Sequence, residues 1–286
     1  MTFRTDQYQL LDFGDGRKLE RFGTLVLDRP SPAAQGIAKS RPDRWPEADA
    51  RFEKGEADQG TWRPAEAVAD PWLIEHGTSH FHLKASPFGH VGVFPEQAAN
   101  WDWIARQVAA AGRPLKVLNL FAYTGGSTLA AAHAGAEVVH VDAARNMIAR
   151  AQENAAASGL ADAPIRWIVE DALRFATREA KRGNRYDAVI LDPPSYGHGP
   201  KGQVWRLTRD LIPLLEVCWQ LTASRLAFVL LTCHSPGYGP SELRELLAPF
   251  LRTESPATIR SGPLTLIDEG SRRLNCGVFA RWSATS

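Results

Sequence analysis

The feature that most constrains this 286-residue chain is an apolar run that ends in a glycine-containing corner. Residues 116–121 are typical of a strand buried on both faces, and Gly125 and Gly126 allow a sharp turn behind it. Helix formers follow at 126–134, and a second apolar run ends in the carboxylate of Asp142. A strand, a glycine corner, a helix and a strand ending in an acid are typical of a nucleoside-binding half-fold, with the acid beside ribose hydroxyls.

Strands and helices continue to alternate beyond this half-fold. The apolar periodicity predicts strands at 116–121, 137–142, 165–169, 186–191 and 226–231, and helices at about 97–111, 126–134, 144–158, 172–182, 204–221 and 241–251. Two further strands, at about 257–266 and 276–283, predict a terminal hairpin. This alternation predicts an α/β fold with a doubly wound, mostly parallel seven-stranded sheet, to which the hairpin adds an antiparallel strand.

The start of the chain has a different character and predicts a small, mostly β N-terminal domain. An Asp-Gly turn near residue 15 predicts one hairpin, and residues 81–94 predict a second one. Residues 30–72 are dense in proline, glycine and charge, which predicts a loop-rich cover anchored by its tryptophans. We therefore expect a substrate-binding or lid domain at 1–95 and a catalytic domain at 96–286.

Composition narrows the class of protein. The formal net charge is only +1, so binding of nucleic acid would require a local basic patch. Three widely spaced cysteines indicate a reducing compartment without a disulfide framework. We find neither a signal-peptide core nor an apolar run of membrane-spanning length, and the histidines at 80–90 lack companions for a metal site. These observations predict a cytoplasmic protein without membrane or metal, either a monomer or a homodimer.

The unusual polar residues of the second half all fall at the carboxyl ends of predicted strands. They are Thr124, Gly125, Asp142, Glu170, Asp171, Asp192 and Cys233. In open α/β sheets, ligands bind beyond these ends, where the strand order reverses. The pattern therefore predicts a single site at one edge of the sheet.

The corner lacks part of the G-x-G-x-x-G pattern that dinucleotide-binding loops use to hold a pyrophosphate. It resembles instead motif I of class I S-adenosylmethionine (SAM) methyltransferases. The resemblance implies that this loop packs against the amino-acid end of SAM.

Asp192 is followed directly by two prolines. They fix the backbone and remove two N–H donors, so the turn is stiff and its carbonyls are held in place. Such a turn can hold a planar base edge-on, with the carboxylate at a ring nitrogen or an exocyclic amine. The glycine-rich residues 197–202 lack the Walker spacing and predict a mobile flap. We expect substrate contacts from Pro194, Tyr196, Lys201 and Arg206.

Cys233 follows the fifth predicted strand, which in the methyltransferase topology neighbours the strand that ends at Asp192. A thiolate that adds to C6 of a pyrimidine makes C5 nucleophilic, while the acid supports proton uptake at N3. A base must then remove the C5 proton before the thiol can leave. A free cysteine has a pKa of ~8.5, so the thiol needs help to ionise, and His234 is adjacent.

Several segments together resemble one family more closely, over about residues 90–286. Residues 119–126, Asp192-Pro-Pro and Thr232-Cys233, with Gly92-Val-Phe94 and Gln97 upstream, are similar to the bacterial 23S rRNA cytosine-5 methyltransferase family. The resemblance implies SAM as cofactor, RNA (rRNA above all) as partner, and Asp192 and Cys233 as catalytic residues. It also implies cofactor contacts from Phe94, Gln97, Asn119, Phe121, Ala122, Tyr123, Thr124, Gly125, Asp142, Ala143, Asp171, Ala172, Asp192 and Pro193.

The chain departs from that family in two ways. The usual N-terminal PUA domain is not recognisable, and His234 stands where a serine usually follows the cysteine. Three other functions stay open. Asp192-Pro-Pro would also suit methylation of a base nitrogen, with Cys233 structural. A NAD(P) oxidoreductase and a non-catalytic RNA-binding protein are the other two.

Overall fold

The computed structural model describes residues 3–55, 59–222, 226–251 and 259–284. By its contacts the chain divides into two compact units, Met1–Ala99 with Thr265–Cys276, and Asn100–Leu264 with Gly277–Ser286. The division of roles between 1–95 and 96–286 stays a prediction.

The first unit is built on a five-stranded sheet and a separate two-stranded one. The strands are β1 (Tyr8–Gly14), β2 (Arg17–Phe22), β3 (Leu25–Pro30), β4 (Ala50–Lys54) and β5 (Gly60–Arg63), hydrogen-bonded in that order, and then β6 (Trp72–His76) and β7 (Ser79–Leu83). β1 pairs antiparallel with β2, and the intervening Asp15 and Gly16 have φ values of 52° and 70°. The first predicted hairpin is confirmed.

Two predictions for this unit hold only in part. Residues 30–72 contain the predicted loops and two buried tryptophans, Trp45 and Trp62, but also β4, β5 and three short 3-10 helices (Pro32–Ala34, Pro42–Glu47 and Glu66–Val68). The predicted turn at 86–90 is present, since the Lys84 N–H donates to the Val91 carbonyl at 2.8 Å and the Ser86 N–H to the His90 carbonyl at 2.9 Å, but the strand β7 pairs with β6, with Phe81 level with Ile74. Strands of four or five residues carry too few side chains for their alternation to stand out in the sequence.

From Ala98 onward the described chain consists mainly of alternating strands and helices, most of which lie in the second unit. In chain order these are α1 (Ala98–Ala110), β8 (Lys116–Leu120), α2 (Gly126–His133), β9 (Glu137–Asp142), α3 (Arg145–Ala157), β10 (Ile165–Val169), α4 (Ala172–Lys181), β11 (Ala188–Leu191), β12 (Tyr196–His198), β13 (Val204–Arg206), α5 (Leu207–Thr222), β14 (Phe228–Cys233), α6 (Pro240–Leu251), β15 (Arg260–Ile267) and β16 (Arg273–Ser283). The start of the predicted strand at 257–266 lies outside the described residues.

Seven strands form one sheet in the order β10-β9-β8-β11-β14-β16-β15. The pairs from β10 to β14 are parallel, and β16 runs antiparallel to β14. Each residue of β11 and of β14 is buried, as expected for central strands covered on both faces. The order confirms the predicted doubly wound, mostly parallel seven-stranded sheet.

The predicted helix at 204–221 begins late. β12 and β13 form a short antiparallel ribbon, called here the 196–206 hairpin, and only then does α5 start at Leu207. This hairpin occupies the segment that we predicted as a flap. Among the described residues, every helix is too short or too polar to cross a membrane.

Candidate active site

The carboxyl ends of neighbouring strands meet at one edge of the seven-stranded sheet. Leu120 of β8 lies level with Val141 of β9 and with Leu191 of β11, and Leu191 lies level with Leu231 of β14. β10 continues the same register on the far side of β9. The residues that come next in each strand therefore share this edge, as the sequence predicts.

The corner behind β8 has an unusual backbone. The φ angle is 57° at Phe121, 50° at Tyr123 and 97° at Gly125. Positive φ is uncommon for residues with a Cβ and is concentrated at functional sites. The N–H of Ala122 donates to the carbonyl of Val141 at 3.1 Å, and that of Gly125 donates to the carbonyl of Ala122 at 3.0 Å. The corner is a tightly held loop of the kind that approaches a ligand closely.

Two neighbours of Gly125 are fixed by packing. A Cβ on Gly126 would lie 2.5 Å from the ring of Trp101 on α1, so close approach to this indole requires glycine here. Thr124 is buried, and its carbonyl accepts a hydrogen bond from the Asn154 amide at 2.9 Å. Helices α1 and α3 therefore support the corner from behind.

Asp142 ends β9 and binds the same corner. Its Oδ2 accepts the Tyr123 N–H at 2.9 Å, and its Oδ1 accepts the Ala144 N–H at 2.8 Å. Burial raises the pKa of Asp142 above its ordinary value, and the N–H groups of Ala144, Tyr123 and Ala143 oppose this rise. Three donors do not use all the lone pairs of a carboxylate, so Asp142 can accept a further hydrogen bond. Hydroxyl groups of a ribose are donors of the right kind for this carboxylate.

Asn119 takes part in a buried polar chain under the corner. Its Nδ2 donates to Thr128 Oγ1 at 2.9 Å, and Thr128 Oγ1 lies 2.9 Å from Nδ1 of His140. Burial lowers the pKa of His140 to about 3, so this imidazole is neutral. The chain links β8, α2 and β9. In this structure the Asn119 amide nitrogen supports the corner, while its predicted cofactor contact stays a prediction.

The end of β10 supplies a further pair of acids. Asp171 caps α4, where its Oδ1 accepts the Arg174 N–H at 2.9 Å, and the adjacent Ala172 is buried. Burial disfavours ionisation of Glu170, but its bond with the Arg178 guanidinium at 3.1 Å holds the pKa of that carboxyl below its ordinary value. Asp171 thus combines a structural cap with its predicted place at the cofactor.

Asp192 follows β11, which neighbours β8 on the side away from β9. Its Oδ1 accepts a hydrogen bond from the Thr232 hydroxyl at 2.5 Å and lies 3.4 Å from Nε2 of His234. About a third of each side chain is exposed, at 32% for Asp192 and 33% for His234. An accessible carboxylate that accepts a hydrogen bond from a hydroxyl and is faced by an imidazole can accept a proton or an amine hydrogen.

Cys233 is the last residue of β14 and is only 2% exposed. Its Sγ accepts a hydrogen bond from the Ser235 N–H at 3.4 Å. Burial raises the pKa of the Cys233 thiol, the nearby Asp192 charge raises it further, and the bond from Ser235 opposes the rise. The structure therefore brings Cys233 close to Asp192 but keeps the thiol buried and protonated. An activated cysteine nucleophile is instead accessible and has a lowered pKa.

The predicted substrate residues lie on the segment behind Asp192. Pro193 is buried, whereas Pro194, Tyr196, Lys201 and Arg206 are exposed. Tyr196 and Arg206 are paired across the 196–206 hairpin.

The two remaining predicted cofactor residues, Phe94 and Gln97, belong to the first unit. Phe94 precedes the 3-10 helix Pro95–Gln97, and the Gln97 N–H donates to the Phe94 carbonyl at 3.0 Å. Their cofactor contacts stay predictions.

Sequence reasoning missed the residues that hold the site together. Trp101, Thr128 and His140 support the corner, and Trp205 anchors the 196–206 hairpin. The sequence offered one signal for Trp205, since it is the only tryptophan in its glycine-rich polar stretch. Tryptophan side chains are usually well buried, so an isolated one in such a stretch predicts an anchor for the loop. In the described part of the chain, no group of three or more His, Cys, Asp or Glu side chains is placed to hold a metal ion.

Known proteins resemble this chain in sequence and structure. A family model described as S-adenosylmethionine-dependent methyltransferase matches residues 50–252. The crystal structure of the SAM-dependent methyltransferase from Agrobacterium tumefaciens is 39% identical, with a TM-score of 0.90, and the match covers 97% of this chain and 90% of that one.

Curated relatives match over a shorter part. Ribosomal RNA large subunit methyltransferase I of Aeromonas hydrophila is 31% identical over 161 residues, which are 55% of this chain and 39% of the relative. Ribosomal RNA large subunit methyltransferase K/L of Pseudoalteromonas atlantica is 30% identical over 146 residues, which are 50% of this chain and 20% of the relative. The chain thus spans well under half the length of these relatives.

Proposed function

Since this chain belongs to the S-adenosylmethionine-dependent methyltransferase family, we propose that it methylates a base of RNA, with ribosomal RNA as the substrate. SAM is the cofactor of the family, as the sequence predicts. The names of the curated relatives support ribosomal RNA as the acceptor. The observation that carries the choice of a base is Asp192, an accessible carboxylate on a stiff Asp-Pro-Pro turn beside the cofactor corner.

The corner and Asp142 fit SAM by their chemistry. The Asp142 oxygens are fixed by backbone N–H groups, and the carboxylate can accept a further hydroxyl hydrogen, which suits a ribose. Asp171 and Ala172 would line the adenine side of the same cleft, and the corner residues 121–125 the amino-acid side. When bound, SAM supplies a methyl group made electrophilic by its sulfonium.

Asp192 would orient the acceptor base and take up its proton. The Thr232 hydroxyl donates to Oδ1 and so fixes the carboxylate, which would accept an amine or ring N–H of the base. The imidazole of His234, with Nε2 at 3.4 Å from Oδ1, faces the same carboxylate. This arrangement suits methylation of a base nitrogen, and the burial of the Cys233 thiol favours that reaction as the second candidate.

Methylation of cytosine C5 remains the reaction that the family resemblance predicts. Cys233 would then add its sulfur to C6, C5 would take the methyl group of SAM, and the sulfur would leave after a base has removed the C5 proton. That reaction requires a shift that uncovers Sγ and lowers its pKa, because the thiol is buried and protonated in this structure.

The test is transfer of labelled methyl groups from SAM to ribosomal RNA of a strain that lacks the gene. Digestion to nucleosides and mass spectrometry then separate 5-methylcytidine from N-methylated bases. RNA from the parent strain is the control and should accept no label. Failure of both RNA preparations to accept label would contradict the proposed function.

The variants Cys233→Ala and Asp192→Asn separate the two reactions. Loss of all turnover in Cys233→Ala with intact SAM binding supports the C5 reaction. Full turnover in Cys233→Ala, with loss in Asp192→Asn, assigns the reaction to a nitrogen.

A further inference from the structure

The 196–206 hairpin has two faces of different character. Tyr196 and His198 alternate with Gly197, and their partners across the ribbon are Arg206 and Val204. Paired residues of antiparallel strands share a face. One face therefore carries Tyr196, His198, Val204 and Arg206, and we call it the outer face. The inner face carries Gly197 and Trp205.

The inner face is fixed to the cofactor corner. Trp205 is 3% exposed, and its ring centroid lies 4.8 Å from that of Phe121. Its indole N–H donates to the Pro194 carbonyl at 2.7 Å. The Leu207 N–H, at the start of α5, donates to the Ser195 carbonyl at 3.0 Å. The hairpin is therefore anchored at its base and placed directly beside the site.

The outer face presents two aromatic rings to solvent. Tyr196 is 52% exposed, and its ring lies edge-on to that of His198, with 5.1 Å between the centroids and 90° between the planes. The two rings lie next to each other at the surface, where aromatic side chains can stack on the bases of an unpaired strand. The edge-on geometry leaves a ring face open to a planar partner.

The same segment carries several cations, and one of them, Arg206, is the cross-strand partner of Tyr196. Between residues 196 and 210 the chain carries three Lys or Arg side chains and one acid. Arg209 holds that acid, Asp210, at 2.6 Å, while Arg206 and Lys201 are exposed. Aromatic rings beside exposed cations form the combination that binds single-stranded nucleic acid through stacked bases and neutralised phosphates.

We propose that the outer face of the 196–206 hairpin is a stacking platform for an unpaired base next to the target nucleotide, with Arg206 at the adjoining phosphate. The base on this face is a neighbour of the target, because Trp205 separates the outer face from the corner at Phe121. The platform would hold the RNA strand while the target base enters the site. This inference rests on the proposed function for its ligand, an RNA strand.

The test compares Tyr196→Ala and His198→Ala with the parent protein in methylation of ribosomal RNA. Loss of one stacked base weakens RNA binding about 5- to 150-fold, so KM for RNA should rise within this range while the Kd for SAM stays the same. Tyr196→Phe keeps a ring and should restore most of the RNA affinity. Ile212→Ala is the matched control, since Ile212 is an exposed apolar residue of α5 at 51% exposure.

Arg206→Gln gives an independent readout. Removal of one phosphate contact should reduce the slope of log Kd against log salt by about 1. An unchanged KM for RNA in Tyr196→Ala and His198→Ala, with active methylation, would overturn the platform and leave the proposed function standing. The platform would also be overturned, and the proposed function left standing, if Tyr196→Ala abolishes self-association of the protein and leaves KM for RNA unchanged. RNA binding that depends on Tyr196 but gives no methylated product would overturn the proposed function instead.

Discussion

The two halves of the site lie at one edge of the sheet but are built from different parts of the chain. At the corner behind β8, backbone N–H groups bind the carbonyls of Val141 and Ala122, and others bind the Asp142 carboxylate. Around Asp192 the bonds join side chains, from Thr232 to Asp192 and between the hydroxyls of Ser195 and Ser235 at 2.6 Å. Burial differs in the same sense, with a buried corner and exposed residues behind Asp192.

The difference suits the ligand that we propose for each half, SAM at the corner and RNA around Asp192. A cofactor of constant shape can be bound by a rigid backbone loop, whose strain at Phe121 and Tyr123 is offset by the surrounding bonds. A macromolecular substrate has to reach the protein from solvent, which requires exposed side chains. Changes in the corner should therefore alter SAM affinity and stability, whereas changes near Asp192 should alter turnover.

The largest effect is expected from Asp192→Asn. The amide has almost the same shape but cannot take up a proton, so kcat should fall by about 10²- to 10⁴-fold. Steady-state methylation of ribosomal RNA measures this fall, and calorimetric titration should show a nearly unchanged Kd for SAM. Thr232→Val, which removes the hydrogen bond to Oδ1, should give a smaller loss of kcat. A large rise in the Kd for SAM would instead assign Asp192 to the cofactor half.

Asp142→Asn should act on the other half of the site. Loss of a charged acceptor for a ribose hydroxyl should raise the Kd for SAM by about 10- to 100-fold. In the parent protein, burial raises the pKa of Asp142, so protonation weakens SAM binding at a higher pH than for an ordinary aspartate. Titrations between pH 7 and pH 4 should show this loss of affinity, and Asp142→Asn should remove it. A flat pH profile in the parent protein would contradict the proposed contact.

Replacement of one glycine in each half by alanine tests whether the corner is packed more tightly than the 196–206 hairpin. Gly126→Ala places a Cβ 2.5 Å from the Trp101 ring and should lower the free energy of unfolding by about 1–3 kcal/mol. Gly197→Ala, on the 196–206 hairpin, meets its nearest atom at 3.6 Å and should be tolerated. Urea denaturation measures both changes. Equal stability of the two variants would show that Trp101 can move aside and that the corner is less rigid than its bonds indicate.

The smallest signal concerns the thiols. Burial raises the pKa of Cys218 and of Cys276 to about 12, and it also raises that of Cys233. Since the thiolate is the reactive form, a disulfide reagent at pH 7 should label the folded protein slowly and all three thiols after denaturation. Labelling should accelerate as the pH rises. Fast labelling at pH 7 that disappears in Cys233→Ala would favour the C5 reaction.

Much of the sheet could be predicted because its strands are long apolar runs closed by polar residues. The run before the corner and the one that ends at Asp142 give β8 and β9 to within one residue. The short strands β12 and β13 could not be predicted in this way. Three residues each are too few for a period, and their pairing depends on Trp205, which packs against a ring 84 positions away in the chain (205 − 121).

The candidate site also has a part that the sequence predicts and a part that it does not. The polar residues at the strand ends could be placed at one edge because parallel strands align their carboxyl ends. The state of Cys233 could not be predicted, since its burial arises from the packing around the end of β14. The sequence of a strand that ends in cysteine is the same whether the sulfur faces the cleft or the core.

The sequence by itself determined the doubly wound sheet, the glycine corner and the row of acids at one edge, because apolar periodicity and backbone freedom are local properties of the chain. Only the tertiary structure decided that Asn119 supports the corner through Thr128, that the Cys233 thiol is covered, and that a two-faced hairpin follows Asp192. These features depend on contacts between residues far apart in the sequence, and such contacts are set by the packing of the whole unit.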